Sequence, residues 1–259
     1  MKFDAQAQAL SPTTLEIDCN SQNQMVIVGS SSQSLTIIFA TGTDYDQKNG
    51  NPAANFSFRG EDPYPTIMKT IDSVTKKSYS AMLREHSADH QAWFSLFKLD
   101  LPDPNNSAKV DTMTLLADYE TASGDPFVEN LLVDYGKYMF IASSRPGSLP
   151  PNLQGKWAAS VDPAWSSDYH IDINVQMSVS ISISLSSRSL FREKILIKST
   201  RNNWLVEAMG LGGLMDPLWD FIADTWVPRG TESARLWYNV RGWVAFTNLN
   251  IFGHTALVP

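Results

Sequence analysis

The sequence contains a single cysteine, Cys19, among its 259 residues. One cysteine can form no disulfide within the chain and cannot supply several thiolates to a zinc site. Basic residues are scarce as well, because 20 Lys and Arg face 27 Asp and Glu, for a formal net charge of -7. A nucleic-acid-binding domain needs a basic surface to neutralise phosphates, so we expect no nucleic-acid partner.

The sequence also has no long apolar run. No stretch is long enough to cross a membrane, and residues 1–14 lack the apolar core of a signal peptide. We therefore expect no membrane partner and no signal peptide in this chain. A hydrophobic share of 43% is nevertheless ordinary for a folded protein with a core.

The first 60 residues predict β-strands, because short apolar or alternating runs are separated by Ser, Asn, Gly and Pro clusters. These strands cover residues 3–10, 15–17, 25–28 and 35–39. Apolar residues at three- and four-residue steps then predict helices over 64–77 and 79–89. A return to a two-residue period predicts one more strand over 94–101, and a polar, turn-rich linker follows over 102–109.

From Asp125 onward the sequence predicts helices. Asp125 is suited to cap a helix whose first position is Pro126. Its expected buried stripe is Phe127, Leu131, Leu132, Tyr135, Tyr138 and Met139. Further helices are predicted over 205–223 and 231–240. The change of pattern places a domain boundary near residues 110–125, with domains at 1–110 and 111–259.

Polar and aromatic side chains are concentrated in residues 143–177, and this pattern favours a sugar-binding site. Sugar hydroxyls need directional hydrogen bonds, and the C–H face of a sugar stacks on aromatic rings. The eight tryptophans of the chain suit such a cleft or a dense aromatic core equally well. The residues that form this pattern are Arg145, Asn152, Gln154, Asp168, His170, Asp172, Asn174 and Gln176, among Trp157, Trp165 and Tyr169.

The order of motifs in this block resembles glycoside hydrolase family 95, the inverting α-L-fucosidases, in a truncated and fungal-like form. The matching segments are residues 142–147 (ASSRPG), 152–157 (NLQGKW), 163–165 (PAW) and 167–177 (SDYHIDINVQM). The resemblance implies a multidomain α and β chain. We expect the C-terminal part of a β-sandwich domain, followed by an incomplete (α/α)6 toroid of the six-hairpin glycosidase type.

The resemblance implies that Asp172 and Asn174 act in catalysis. In the family, two Asn residues of a His-x-Asn-x-Asn run help an Asp base to orient the attacking water. Asn174 matches the second of them, whereas Asp172 replaces the first. Asp172 either shares or replaces the base, or it pairs with Arg145 or caps nearby N–H groups.

Binding of the substrate is implied for three further residues. His170 matches a residue that contacts sugar hydroxyls, while Trp157 and Trp165 either stack on the substrate or wedge the loop against the core. Residues 170, 172, 174 and 176 alternate, so an extended segment would place their side chains on one face.

The family's general acid and principal base are expected downstream of this chain. Inverting glycosidases need both carboxyls, about 6.5–9.5 Å apart, so we expect no turnover by this chain alone. The carboxylates that the chain does offer are expected to be surface or capping groups: Glu207, Asp216, Asp220, Asp224 and Glu232. No cofactor and no metal are expected, because His86 and His90 lack an acidic third ligand.

Residues 178–201 interrupt the resemblance with a Ser-rich stretch that turns basic. They are either a surface insertion or, as we prefer, a retained intron read in frame, whose removal would restore a continuous helix. The expected partner is a fucosylated oligosaccharide or glycan, and the intact parent is expected to be extracellular. Two alternatives remain: a non-catalytic carbohydrate-binding fragment, and a misfolded product that aggregates through exposed apolar helix faces.

Overall fold

The computed structural model describes residues 1–11, 16–22, 24–28, 34–120, 122–152, 156, 158, 160–171, 206 and 209–256. The chain divides into two compact units. The first consists of residues 1–46 and 59–88, and the second of residues 47–58 and 89–259. The predicted site and most of the helical sequence belong to the second unit.

The first unit contains two antiparallel strand pairs, as the alternation of its sequence predicts. Strand β1 (Phe3–Leu10) pairs along its whole length with β4 (Thr36–Thr43), and β2 (Glu16–Cys19) pairs with β3 (Met25–Val28). Helix α1 (Pro63–Val74) packs against β1 and β4. The carboxylate of Asp62 caps this helix by accepting a hydrogen bond from the Tyr64 N–H at 3.0 Å.

Helix α2 (Tyr79–Phe94) is longer than predicted, and the strand predicted over 94–101 is wrong. The alternation of burial is real, because Phe97, Leu99 and Leu101 are each less exposed than their neighbours. Side chains of a helix satisfy this backbone instead of a partner strand. The carbonyl of Phe97 accepts a hydrogen bond from the Lys137 ammonium, and the Leu101 N–H donates to the Asn130 carboxamide.

A short helix α3 (Thr112–Asp118) precedes helix α4 (Pro126–Ser143), which begins where the sequence predicts. Asp125 Oδ1 accepts hydrogen bonds from the N–H groups of Phe127 and Val128 at 3.0 and 3.3 Å. The predicted stripe is wrong in part, because Tyr135 and Tyr138 are exposed. The buried residues of α4 are Val128, Gly136, Lys137, Phe140, Ile141 and Ser143.

The helix predicted over 205–223 is broken. Gly210 adopts a left-handed φ of 71°, and a 3-10 turn, Gly212–Met215, leads into helix α5 (Asp216–Phe221). A π-helical turn, Ile222–Trp226, joins α5 to helix α6 (Val227–Tyr238). Helix α6 begins before the predicted residue 231, since Pro228 suits the first turn of a helix.

The second unit also contains a three-stranded antiparallel sheet. Strand β6 (Asn248–Leu249) lies in the middle, between β5 (Tyr169–His170) and β7 (Thr255–Ala256). The described part of the chain thus combines helices with small antiparallel sheets. Its main core joins α4, α5, the π-helical turn and the sheet, through residues that include Phe140, Ile141, Tyr169, Leu214, Phe221, Trp226 and Leu249.

Among the described residues, no helix is both long enough and apolar enough to span a membrane.

Candidate functional site

The candidate site is built on the three-stranded sheet, whose two faces differ in character. Tyr169 pairs with Leu249, and both side chains are buried, with 2% of their surface exposed. Side chains alternate along a strand, so the neighbouring residues point to the opposite face. That face bears His170, Asn248 and, just before the strand, Asp168, all partly buried. We call these three residues the polar face.

Aromatic packing fixes the position of Tyr169 and hence the orientation of the polar face. The Tyr169 ring lies 4.8 Å from the ring of Phe221, which lies 5.5 Å from the ring of Trp226. The Tyr169 hydroxyl donates a hydrogen bond to the carbonyl of Pro150 at 3.1 Å. This bond joins the strand to the loop that carries the first half of the motif.

The loop that follows helix α4 is held by several polar contacts. Ser144, which is buried, donates through Oγ to the carbonyl of Leu214 at 2.6 Å. The Ser148 N–H donates to the Arg145 carbonyl at 2.9 Å, which closes a turn around Gly147 at a φ of 79°. The Arg145 guanidinium forms an ion pair with Asp89 of α2. The ASSRPG segment therefore serves to shape the loop.

Two residues of the NLQGKW segment have unusual environments. Asn152 donates a weak hydrogen bond to the Ser167 carbonyl at 3.5 Å, whereas its buried Oδ1 accepts none from the described residues. The Lys156 ammonium donates to the carbonyl of Leu149. Although Lys156 as a residue is exposed, burial of its ammonium lowers the pKa of this lysine to about 8.

Asp168 gives the polar face an anionic group in a partly dehydrated position. Burial raises the pKa of the Asp168 carboxyl, and the nearby charge of His170 acts in the opposite direction. No described residue donates a hydrogen bond to this carboxylate. A carboxylate, an imidazole and a carboxamide together offer the donors and acceptors that hydroxyl-rich ligands require.

The structure describes only part of the predicted site. His170 lies on β5, in the extended conformation that the alternation predicts. Trp165 belongs to the 3-10 turn Ala164–Ser167, and the position of its side chain is not described. Trp157, Asp172 and Asn174 lie outside the described residues, as do residues 178–201.

Most of the carboxylates expected on the surface have surface environments. Asp216 and Asp220 are exposed, Asp224 is partly buried, and Glu232 accepts two hydrogen bonds from Arg235 at 2.6 and 3.0 Å. These bonds lower the pKa of Glu232. Glu207 lies outside the described residues. Within the described ranges, no three His, Cys, Asp or Glu side chains are grouped as a metal site would require.

Sequence reasoning did not identify Asn248 as a site residue. Asn248 lies directly opposite His170 in the register of β5 and β6. It belongs to a short apolar-polar stretch far from the motif, and nothing in its local sequence indicates a neighbour 78 positions earlier. Only the pairing of the two strands brings the two side chains together.

A partly buried polar face with a carboxylate, an imidazole and a carboxamide suits the class of proteins that bind hydroxyl-rich ligands such as carbohydrates. The comparison with known families agrees with this class. The model of the glycosyl hydrolase family 95 catalytic domain matches residues 78–180 and 194–259, and the chain belongs to that family.

Relatives from fungi and a plant support the assignment. The chain is 44% identical over 258 residues to a "Probable alpha-fucosidase A" of Aspergillus niger. This alignment covers 99% of this chain and 29% of the relative. It is 38% identical over 257 residues to the protein of the same name from Aspergillus oryzae, covering 98% of this chain and 32% of the relative. An "Alpha-L-fucosidase 2" of Arabidopsis thaliana is 29% identical over 199 residues, or 75% of this chain and 20% of the relative. The chain thus spans about a third or less of the length of these relatives.

Proposed function

We infer that this chain forms part of a glycosidase of the α-L-fucosidase type, which hydrolyses terminal α-L-fucosyl linkages with inversion. The observation that supports this most directly is the polar face, because it bears His170 within the family motif and beside further hydrogen-bonding groups. The substrate class is a fucosylated oligosaccharide or glycan, as the names of the relatives suggest. An extracellular location of the whole protein belongs to the same proposal.

The proposed chemistry uses the residues that follow His170. An inverting glycosidase activates water on one face of the sugar while an acid protonates the leaving oxygen on the other. Asn174 orients this water through its amide oxygen, and Asp172 accepts its proton or polarises it further. The alternation of polar residues in the sequence supports this arrangement, because an extended segment would place the side chains of residues 172 and 174 on the side of His170.

We assign the general acid and the principal base to residues other than the five carboxylates expected to be surface or capping groups, which are Glu207, Asp216, Asp220, Asp224 and Glu232. Asp216 and Asp220 are exposed to solvent, and the Glu232 carboxylate is engaged by Arg235, so none of the three lies in an enclosed site of the kind that binds a small ligand. Trp157 and Trp165 are proposed to stack on the sugar.

The finer architecture is also a proposal. We assign residues 1–110 to part of a β-sandwich domain with linker helices, and residues 111–259 to the first part of an (α/α)6 catalytic domain. The antiparallel strands within residues 3–43 and the helices α4 to α6 after residue 125 support this order of a part with strands and a helical part. The family match pauses between residues 180 and 194, which supports an insertion within 178–201.

The first test is binding and turnover by the expressed chain. L-Fucose binding is measured by calorimetry, and release of p-nitrophenol from p-nitrophenyl α-L-fucoside reports hydrolysis. His170→Ala is expected to weaken fucose binding about tenfold or more, because the imidazole bonds to sugar hydroxyls. His86→Ala is the matched control, since His86 is exposed on α2. Equal affinity of the His170 variant and the parent chain would contradict the proposal.

The second test addresses the catalytic roles in a full-length member that carries this segment. Asn174→Ala is expected to lower turnover about 100-fold or more, since the water would lose a fixed hydrogen-bond partner. NMR of the released sugar should show the β-anomer first if the reaction inverts. Binding of L-fucose without any turnover, in both the chain and the full-length protein, would instead favour the non-catalytic carbohydrate-binding alternative.

A further inference from the structure

The register of the small sheet points to a residue with an additional role. His170 and Asn248 are directly paired on adjacent antiparallel strands. Paired residues have their Cβ atoms about 4.5–5.5 Å apart on the same face of a sheet. The preceding pair, Tyr169 and Leu249, is buried on the other face, which directs His170 and Asn248 outward.

The Asn248 carboxamide has hydrogen-bonding capacity that the described part of the chain does not use. The side chain is partly buried, and no described residue forms a hydrogen bond with it. Asn250, two residues later, shows the contrast. Its Oδ1 accepts hydrogen bonds from the N–H groups of Phe252 and His254 at 3.0 and 3.1 Å and so closes the turn before β7. The Asn250 amide is therefore structural, whereas the Asn248 amide has no such role among the described residues.

The backbone beneath Asn248 is held on both sides. The Ile171 N–H donates to the Thr247 carbonyl at 2.9 Å, and Asn248 pairs with Ala256 of β7. A binding residue is most effective when its backbone is fixed before the ligand arrives. Asn248 therefore has the rigid support that a specificity-determining side chain needs.

We propose that Asn248 is a further sugar-binding residue, whose carboxamide bonds a deoxyhexose hydroxyl adjacent to the one bound by His170. The inference rests on the proposed function, because it assigns the sugar to the polar face. Neighbouring hydroxyls of a pyranose ring each have a donor and an acceptor. The amide N–H2 donates to one hydroxyl oxygen, and the amide oxygen accepts from a hydroxyl. Asp168, on the same face, offers a further acceptor.

The inference is tested with the expressed chain, using L-fucose as the probe. Affinity is measured by calorimetry for the parent chain and for Asn248→Ala, Asn248→Asp, Thr247→Ala and His170→Ala. Thr247→Ala is the matched control, because Thr247 is exposed, adjacent to Asn248, and keeps its carbonyl bond to Ile171. The side-chain N–H2 resonances of Asn248, identified by their loss in Asn248→Asp, report contact with the sugar directly.

We expect about tenfold weaker binding for Asn248→Ala and Asn248→Asp, melting temperatures close to that of the parent chain, and a fucose-dependent shift of the Asn248 N–H2 signals. Affinity within twofold of the parent for both Asn248 variants, with His170→Ala impaired, would overturn this inference and leave the proposed function standing. A destabilised Asn248→Ala beside an Asn248→Asp that binds normally would show a structural role and overturn it as well. If the parent chain shows no saturable fucose binding, both proposals are overturned together.

Discussion

At the scale of single residues, burial decides how a titratable group behaves. Tyr119 is buried, and its hydroxyl donates to Glu129 Oε1 at 2.9 Å. Burial, followed by the hydrogen bond and charge of Glu129, raises the pKa of Tyr119 to about 12. Both effects favour the neutral phenol, because ionisation would leave a phenolate in a dehydrated position beside a carboxylate.

Replacement of Tyr119 by Phe is expected to change the stability of the protein at alkaline pH. In the unfolded chain the phenol ionises near pH 10, whereas in the folded chain it ionises near pH 12. The folded state therefore retains the proton longer, and stability from this group is lost as the pH rises from about 10 to about 12. Urea unfolding at pH 9 and pH 11.5 should show a smaller alkaline loss for Tyr119→Phe than for the parent chain.

Tyr79→Phe is the control for this prediction, because Tyr79 is exposed and lies on α2, whereas Tyr119 is buried and follows α3. Absorbance at 295 nm offers an independent measurement. The ionisation step near pH 12 should lose amplitude in Tyr119→Phe and keep it in Tyr79→Phe. An unchanged step in Tyr119→Phe would show that another tyrosine titrates there.

At the scale of elements, the turn between β6 and β7 requires glycine. Gly253 has a φ of 67°, and a Cβ placed there would lie 2.8 Å from Arg229 Cγ and 3.0 Å from Thr225 Cγ2. Arg229 cannot easily yield, because its guanidinium lies 3.9 Å from the centre of the Phe56 ring and its Nε donates to the Phe252 carbonyl at 3.2 Å. The turn, α6 and the π-helical turn are packed as one group.

Gly253→Ala is expected to destabilise the protein by more than backbone strain alone. A residue other than glycine in the left-handed region costs about 1–2 kcal/mol, and the steric overlap should add about 1–3 kcal/mol. Gly147→Ala isolates the first contribution, because Gly147 has a φ of 79° and no atom within 4 Å of its Cβ position. Urea unfolding of both variants gives the difference. An equal loss of unfolding free energy in the two variants would mean that the turn at Gly253 accommodates the methyl group by local movement.

Local chemistry made some elements predictable. Asp125 and Pro126 define the start of α4, because a cap and a first-turn proline act within a few residues of each other. The segment 95–101 was not predictable in this way. Its alternating burial matches a strand, but a ladder needs a partner, and the partner groups here are Lys137 and Asn130 of α4. Lys137 is also buried under the Phe94 ring, a position that hydrophobic periodicity assigns to apolar residues.

At the scale of the whole molecule, the family motif predicted the membership of the chain, and the alternation of polar residues predicted the extended conformation at His170. The partner strand of β5 was not predictable. The motif residues are contiguous, so the sequence displays them together. Asn248 joins them only through a strand pair between distant segments. When a candidate site combines residues from two distant strands, the sequence reveals only the residues that belong to the motif.

Deletion of residues 178–201 is the prediction that belongs to this scale. The family match covers residues 78–180 and 194–259, so residues 181–193 fall outside it, which supports our proposal of an insertion within 178–201. We expect the shortened chain to fold to a more soluble protein with a cooperative melt, and we expect transcripts that lack the segment. A chain with residues 178–201 scrambled is the matched control and should behave like the parent. A lower melting temperature after deletion would mean that the segment contributes to the fold.

The pairing of β5 with β6 has a consequence for how the molecule folds. The two strands are separated by residues 171–247, so the sheet can form only after a long loop has closed. Loop-closure entropy grows with the logarithm of length, and residues 178–201 would add only roughly 0.3 kcal/mol to it. The rate is affected more than the equilibrium, since distant contacts form late. During synthesis, the chain must therefore grow from His170 to Leu249 before β5 can pair with β6, and until then Tyr169 has no Leu249 to pair with.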